Sequence, residues 1–226
     1  MKSRIKIDSA ILSFIIILTG LLYRYPYLYP FDQGGDNVLD FLGLIVVLKG
    51  TFLRMAARGH KKTNSQAGKG LVMTGPYSLV RNPMYLGSFL MGAGFVLIVW
   101  PWWSLPLFGL LFYRRFRRQV VKEEEHLKKL FGPTYESYAQ RVPLAVPRIP
   151  DICRMKFAEI FPPEEIWNTK EKRGLITWPI LAVFLETFQE NVVFGTTHIK
   201  QTILIFILAE LTFALGIWFL YKRKPG

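Results

Sequence analysis

The chain has 226 residues, of which 51% are hydrophobic and 15% aromatic, and its formal net charge is +13. These proportions fit a membrane protein better than an average soluble domain. An excess of positive charge can indicate nucleic-acid binding. Here the basic residues flank long apolar runs, and basic residues in that position usually set membrane topology and contact anionic lipid headgroups. With one cysteine and three widely separated histidines, neither a disulfide framework nor a metal site is expected.

Apolar segments recur along the chain at lengths close to a membrane span. In chain order they are 7–23, 38–55, 84–100, 102–113, 175–185 and 202–221. The first follows Lys2, Arg4 and Lys6 and lacks a small-residue cleavage site, so we expect a retained span. Pro101, inside "VWPWW", joins the third and fourth as a helical hairpin with tryptophans at the interface. The sequence predicts an all-α, polytopic transmembrane helical bundle of five to six spans, with cytoplasmic cofactor-binding helices and loops.

Basic residues alternate between the predicted loops as the positive-inside rule requires. With the N-terminus placed in the cytoplasm, the loop after the second span carries Arg54, Arg58, Lys61, Lys62 and Lys69. The stretch 114–173 is also rich in Lys and Arg and falls on the same side, whereas Lys200 falls on the other. We therefore expect a multi-pass integral membrane protein whose N-terminus and active site are cytoplasmic.

The segment 75–95, "GPYSLVRNPMYLGSFLMGAGF", opens the third span. After a Gly-Pro turn, Asn82 and Pro83 are typical of a helix start, with Asn as the N-cap and Pro at the first helical position. The free N–H groups and dipole of such a helix end attract an anion. Tyr77 and Tyr85 flank it, either as interface residues or as aromatic faces for an adenine or a cation.

A second charged cluster, "RRFRRQVVKEEEHLKKLFGPTYESY", follows the fourth span directly. Gln119 and Glu123 are four residues apart and share a helix face, whereas Glu124 points about a quarter-turn away. A solvated helix laced with Glu–Lys pairs would show the same pattern. Gly132 and Pro133 are expected to end this helix.

Together, "KGLVMTGPYSLVRNPMYLG" and "EEEHLKKLFGPTYESYAQRVPLAVPRIP" resemble the isoprenylcysteine carboxyl methyltransferase family, which is related to the phospholipid N-methyltransferases. The likeness covers 69–150. Members are integral-membrane enzymes that use S-adenosylmethionine. With the apolar segments on either side, the sequence predicts N-terminal transmembrane helices over 1–58, a methyltransferase core over 59–150, and a cytoplasmic segment with further transmembrane helices over 151–226.

The resemblance also implies which residues contact the cofactor. Carried over position by position, they are Lys69, Gly70, Leu71, Val72, Tyr77, Asn82, Pro83, Met84, Tyr85 and Glu123. The family has histidines where this chain has Lys69 and Asn82. In the phospholipid branch a Gly-x-Gly within a span is linked to the cofactor, and "GAG" at 92–94 is similar to it, with close helix packing as the alternative.

The methyl acceptor remains open between two chemistries. In the carboxyl methyltransferase branch, an arginine four residues before the key glutamate meets the substrate carboxylate, and Gln119 stands there in this chain. A neutral amide does not replace a bidentate guanidinium, so Arg81 or Arg115 would have to substitute. A carboxylate acceptor needs no base, whereas a phospholipid amine must lose a proton, which Glu124 or His126 could accept. Arg81 and Glu124 are thus the candidate catalytic residues, and Gln119 is a candidate substrate contact.

We expect a methyltransferase acting on a lipid or lipidated substrate, by carboxyl O-methylation of an S-isoprenylcysteine or by phospholipid N-methylation. A non-catalytic membrane protein that binds lipid or serves as a scaffold is the alternative from another class. The expected partners are the bilayer and a lipid or prenylated substrate, without nucleic acid or metal.

Overall fold

The computed structural model describes residues 15–29, 33–65, 70–154, 156–195 and 197–222. Every regular element within these ranges is helical, so the all-α prediction is confirmed for this part of the chain. The α-helices are α1 (Ile15–Arg24), α2 (Gln33–Asn64), α3 (Pro76–Leu79), α4 (Pro83–Val99), α5 (Leu105–Arg141), α6 (Ile149–Arg154), α7 (Phe157–Ile160), α8 (Pro163–Trp167), α9 (Gly174–Phe194) and α10 (Ile199–Lys222). Short 3₁₀ helices occupy Pro26–Leu28, Trp102–Ser104 and Lys170–Arg173.

Among the described helices, α10 is the one that is both long and apolar enough to cross a membrane, judged by length and composition. It has 24 residues, and 11% of its most apolar stretch is buried, so most of its apolar side chains face outward. The helices α1 and α4 are apolar but shorter. The number of spans and their orientation therefore stay predictions.

The helix α2 continues well past the predicted second span. The apolar segment 38–55 forms the middle of a 32-residue helix that ends at Asn64. Gly59, inside this helix, lets α8 approach closely, because a Cβ there would overlap the carbonyl oxygen of Glu165. The boundary predicted between residues 58 and 59 falls inside α2, so the predicted N-terminal part and core share one helix.

Glycines form the seam between α2 and the antiparallel α4. Gly43 faces Gly94 and Gly50 faces Gly87, and a Cβ at Gly94 or at Gly50 would lie 2.5 Å from the opposing glycine's carbonyl oxygen. The two glycines of each helix are about two helical turns apart, so they fall on one face. Small residues of this kind let helix backbones approach within membranes. Gly92 packs on the ring of Phe108, so helix packing accounts for both glycines of "GAG".

Substitution of Gly94 by alanine is expected to destabilise the fold by about 1–3 kcal/mol, because the added methyl overpacks the seam. Gly109, in α5, is the matched control, since its Cβ would meet nothing within 4 Å. There the same substitution should stabilise the helix by roughly 0.5–1 kcal/mol. Thermal unfolding in detergent would compare the two, and equal effects of Gly94→Ala and Gly109→Ala would contradict the seam.

The helix α5 carries the second charged cluster and bends within it. Gly132 has φ +49°, a conformation that glycine adopts without strain, and Pro133 follows it. The first part of α5 ends here, as predicted. The chain then resumes a helix as far as Arg141, so the expected end is a kink between two helical parts.

The chain after α5 folds back onto the end of α2. Phe161 and Ile166 pack with Met55, Ala56 and Leu79 in one buried cluster. The predicted span 175–185 is the first half of α9, whose second half carries the buried side chains of Glu186, Gln189 and Glu190. The segment 157–173 thus covers one side of the region that carries the motifs.

Candidate cofactor site

The two motif clusters meet at the start of α4. This helix begins at Pro83 with Asn82 as N-cap residue, as predicted, but the Asn82 side chain does not cap it. Its Nδ2 instead donates to the carbonyl oxygen of Leu144 at 3.3 Å. The backbone N–H groups of Arg81 and Asn82 donate to the carbonyls of Pro143 and Leu144 at 2.9 and 3.2 Å. The segment after α5 therefore holds the loop before α4 in place and leaves the α4 N-terminus without a side-chain cap.

Two of the predicted tyrosines lie near Glu123. The Tyr85 hydroxyl donates to Glu123 Oε2 at 3.2 Å, and its ring packs on Phe116. Burial raises the pKa of the Tyr77 phenol, and the negative charge of Glu123 raises it further. The Tyr138 hydroxyl donates to the Tyr77 backbone carbonyl at 2.7 Å. Glu123 and both tyrosines therefore form one partly buried, polar and aromatic group at the start of α4.

The two candidate catalytic residues, Arg81 and Glu124, lie against each other. Arg81 Nη1 and Glu124 Oε1 are 3.4 Å apart, and both side chains are largely buried. Burial and the charge of Glu124 raise the pKa of the adjacent Tyr135 to about 12, against the effect of Arg81. All three line a cavity of about 500 Å³ in the bend of α5, with Lys128 and Glu136 paired at its rim. Each candidate therefore has a partner of opposite charge.

The first predicted cofactor stretch follows the end of α2. Gly70, Leu71 and Val72 form an irregular segment, and the Gly70 N–H donates to the carbonyl of Ser65 at 2.9 Å. Lys69 lies outside the described residues. This irregular stretch directly precedes the turn that bears Tyr77. The role of Lys69 stays a prediction.

The remaining predicted residues lie along α5. Gln119 is partly exposed one turn before Glu123, and His126 is exposed. The Arg115 guanidinium lies 5.5 Å from the ring centroid of Phe116. The structure thus gives Gln119 the helix face that the sequence predicted.

A buried histidine that the sequence did not single out organises the turn before Tyr77. His60 is 6% exposed, and its ring nitrogens lie 2.6 Å from Glu165 Oε2 and 2.9 Å from Thr74 Oγ1. Asn64 Nδ2 donates to the other oxygen of Glu165. Gly75 has φ +59°, and a Cβ there would lie 2.7 Å from the His60 ring. Because Glu165 is 105 residues from His60, no local pattern could have predicted this cluster.

Two arginines assigned by sequence only to topology also have specific contacts. Arg54 Nη2 and Arg58 Nη1 both contact Glu171 Oε1, at 2.9 and 2.8 Å. Arg54 Nη1 also donates to Ser88 Oγ, and the Ser88 hydroxyl donates to the Met84 carbonyl at 3.0 Å. These contacts join α2, the first turns of α4 and the 3₁₀ helix Lys170–Arg173.

Residues 40–134 match the family described as phospholipid methyltransferase. This part of the chain is similar to that family. The match starts within α2 and ends just beyond the bend of α5, so it contains the glycine seam, the first motif cluster and the second cluster as far as Thr134. The family is one of S-adenosylmethionine-dependent methyltransferases and integral membrane proteins, and the resemblance found in the motifs is confirmed at family level.

Several relatives share this core. The chain is 36% identical over 80 residues to a protein-S-isoprenylcysteine O-methyltransferase of Schizosaccharomyces pombe, covering 35% of this chain and 34% of that protein. It is 32% identical over 136 residues to the Saccharomyces cerevisiae protein of the same name, covering 56% and 57%. The Delta(14)-sterol reductase LBR of Gallus gallus is 36% identical over 85 residues, covering 34% of this chain and 12% of that protein.

The chain spans from an eighth to a little over half the length of these relatives. No solved structure shows a significant match to it. Since the core occurs in proteins with different named activities, the acceptor has to be inferred from the site.

Proposed function

We propose that the chain is an integral-membrane methyltransferase that transfers the methyl group of S-adenosylmethionine to the carboxylate of an S-isoprenylcysteine. The observation that carries the proposal is the Glu123 carboxylate, which accepts from the Tyr85 hydroxyl at 3.2 Å at the start of α4 and whose charge raises the pKa of the Tyr77 phenol. The relatives named protein-S-isoprenylcysteine O-methyltransferase support the lipidated acceptor.

The chemistry of this group fits the methyl donor, which bears a cationic sulfonium, an ammonium and a carboxylate. Glu123 would bind the donor's amino group or ribose by charge-assisted hydrogen bonds. The α4 N-terminus, left open by the Asn82 side chain, would bind the donor's carboxylate. Tyr77 and Tyr85 would pack on the adenine or near the sulfonium. The remaining carried-over residues, Lys69, Gly70, Leu71, Val72, Pro83 and Met84, would line the donor.

Bound S-adenosylmethionine supplies an activated methyl group for displacement in line with the departing sulfur. The protein has to orient the two partners and exclude water. Glu123 and the two tyrosines would hold the donor, and the predicted spans would admit the isoprenyl chain from the bilayer. The apolar side chains of α10, most of which face outward, are consistent with this placement.

The pairing of Arg81 with Glu124 favours a carboxylate acceptor over a phospholipid amine. A carboxylate is already nucleophilic, whereas an amine has to lose a proton to a base. Glu124, one candidate base, is already paired with the guanidinium of Arg81. His126, the other candidate, is exposed and has no observed link to the Glu123 group. Phospholipid N-methylation is therefore the second candidate.

The full chain, purified in detergent, is expected to transfer labelled methyl from S-adenosylmethionine to N-acetyl-S-farnesylcysteine. Its carboxamide, which has no nucleophilic carboxylate, is the matched control and should accept none. Phosphatidylethanolamine tests the second candidate, and labelling of this lipid alone would contradict the carboxylate proposal. Donor binding without transfer to either lipid would favour the non-catalytic class.

A further inference from the structure

Two arginines share a single carboxylate oxygen at the end of α2. Arg54 and Arg58 both contact Glu171 Oε1, at 2.9 and 2.8 Å. The Glu171 side chain is 17% exposed and that of Arg58 is 49% exposed. The Arg58 guanidinium is thus held by Glu171 while part of its donor surface remains open.

The positive charge of this cluster exceeds its negative charge. Arg54, Arg58 and Lys62 recur every four residues and share one face of α2. Opposite them, Glu171 brings one carboxylate, and Asn168 brings an uncharged amide whose Oδ1 accepts from Lys62 at 3.3 Å. Two guanidinium groups against one carboxylate leave a net positive charge, which favours binding of an anion.

This charge lies next to the candidate donor site. Through Ser88, Arg54 connects to the carbonyl of Met84 in the first turn of α4. Glu123 raises the pKa of the Tyr77 phenol and Arg58 lowers it, so both charges act on this side chain. The arginines therefore face the same region as the predicted cofactor residues, from the side of the segment 168–171.

We propose that Arg58, supported by Arg54 and Glu171, binds a carboxylate beside the methyl-donor site. The proposal rests on the proposed function. Arg58 would supply the guanidinium that binds a carboxylate. Gln119 cannot do so, because its amide does not form the bidentate pair that arginine makes with a carboxylate. Two carboxylates fit this chemistry, that of the isoprenylcysteine acceptor and that of the donor's methionyl group.

The test compares Arg58→Gln and Arg58→Lys with Arg173→Gln in the full chain in detergent. Arg173 is the control because it is exposed and lies in the 3₁₀ helix that carries Glu171. If the acceptor is bound, Arg58→Gln should raise KM for N-acetyl-S-farnesylcysteine by about tenfold to a hundredfold, with little change in kcat. If Arg58 binds the donor's carboxylate, the variant should lower the affinity for S-adenosylhomocysteine by the same factor. Methylthioadenosine, which lacks the amino-acid head, should then bind unchanged.

Arg58→Lys should retain part of the carboxylate binding, because lysine keeps the positive charge and lacks the bidentate guanidinium. Its unfolding temperature and that of Arg58→Gln, compared with the control, report whether the fold is intact. The proposal would be overturned if Arg58→Gln had a KM and an S-adenosylhomocysteine affinity within about twofold of those of Arg173→Gln. It would also be overturned if Arg58→Gln lost as much affinity for methylthioadenosine as for S-adenosylhomocysteine. A wild-type chain that binds neither nucleoside would instead contradict the proposed function itself.

Discussion

Replacing Glu123 by alanine is expected to weaken S-adenosylmethionine binding by at least about tenfold and to abolish measurable methyl transfer. Hydrogen bonds to charged groups contribute roughly 1.5–3 kcal/mol, which corresponds to about ten- to a hundredfold in affinity. The loss should be large because Glu123 is partly buried and Tyr85 orients its Oε2. Calorimetry in detergent measures the affinity directly.

Three further variants separate charge from shape at this position. Glu123→Gln keeps the volume and removes the charge, so it should behave like alanine. Tyr85→Phe removes only the orienting hydroxyl and should weaken the binding free energy of the donor by about 1 kcal/mol. Glu125→Ala, on the same helix and exposed, is the matched control and should bind as wild type. Unchanged affinity in Glu123→Ala, with wild-type unfolding temperature, would remove Glu123 from the donor site.

The second large effect is expected at Gly75, which should not tolerate even a methyl group. Its backbone has φ +59° and ψ −137°, a conformation that costs other residues about 1–3 kcal/mol. The alanine Cβ would also lie 2.7 Å from the buried His60 ring, and such overpacking costs a further 1–3 kcal/mol, roughly. Gly75→Ala should therefore destabilise the protein by about 2–6 kcal/mol in thermal unfolding.

Gly132 separates the two causes. Its backbone conformation, φ +49° and ψ −127°, is close to that of Gly75, but a Cβ there would meet nothing within 4 Å. Gly132→Ala should therefore cost only the backbone term, about 1–3 kcal/mol. The difference between the variants measures the contact with His60, and a Gly75→Ala protein no less stable than Gly132→Ala would show that His60 does not confine the turn. Loss of donor affinity in Gly75→Ala would link this turn, which positions Tyr77, to donor binding.

Local features of the chain were predictable because local physics produces them. A residue pair such as Asn82-Pro83 favours a helix start, since proline carries no N–H and its φ suits the first turn. Gly132 and Pro133 likewise interrupted the helix where expected, although the chain resumed it. The two motif clusters carry the resemblance to a methyltransferase family, and this resemblance named the residues that the structure brings together at Tyr85 and Glu123.

Contacts between distant segments followed no such rule. His60 meets Glu165, and Arg54 meets Glu171, across 105 and 117 residues. The fold alone decides which polar groups become neighbours, and a buried polar group has to find a partner because leaving it unpaired is costly. The same rule explains why the Asn82 amide turned from its expected cap to the Leu144 carbonyl, which the segment after α5 brought within reach.

The sequence by itself determined the helical class, the start of α4 and the resemblance to a methyltransferase family, because periodicity, capping residues and motifs are local. The tertiary structure decided that Arg81 pairs with Glu124, that His60 confines the Tyr77 turn, and that Arg54 and Arg58 share Glu171. Those outcomes depend on how α2, α5 and the segment 157–173 pack together. Packing is a property of the whole chain, so no single stretch of residues encodes it.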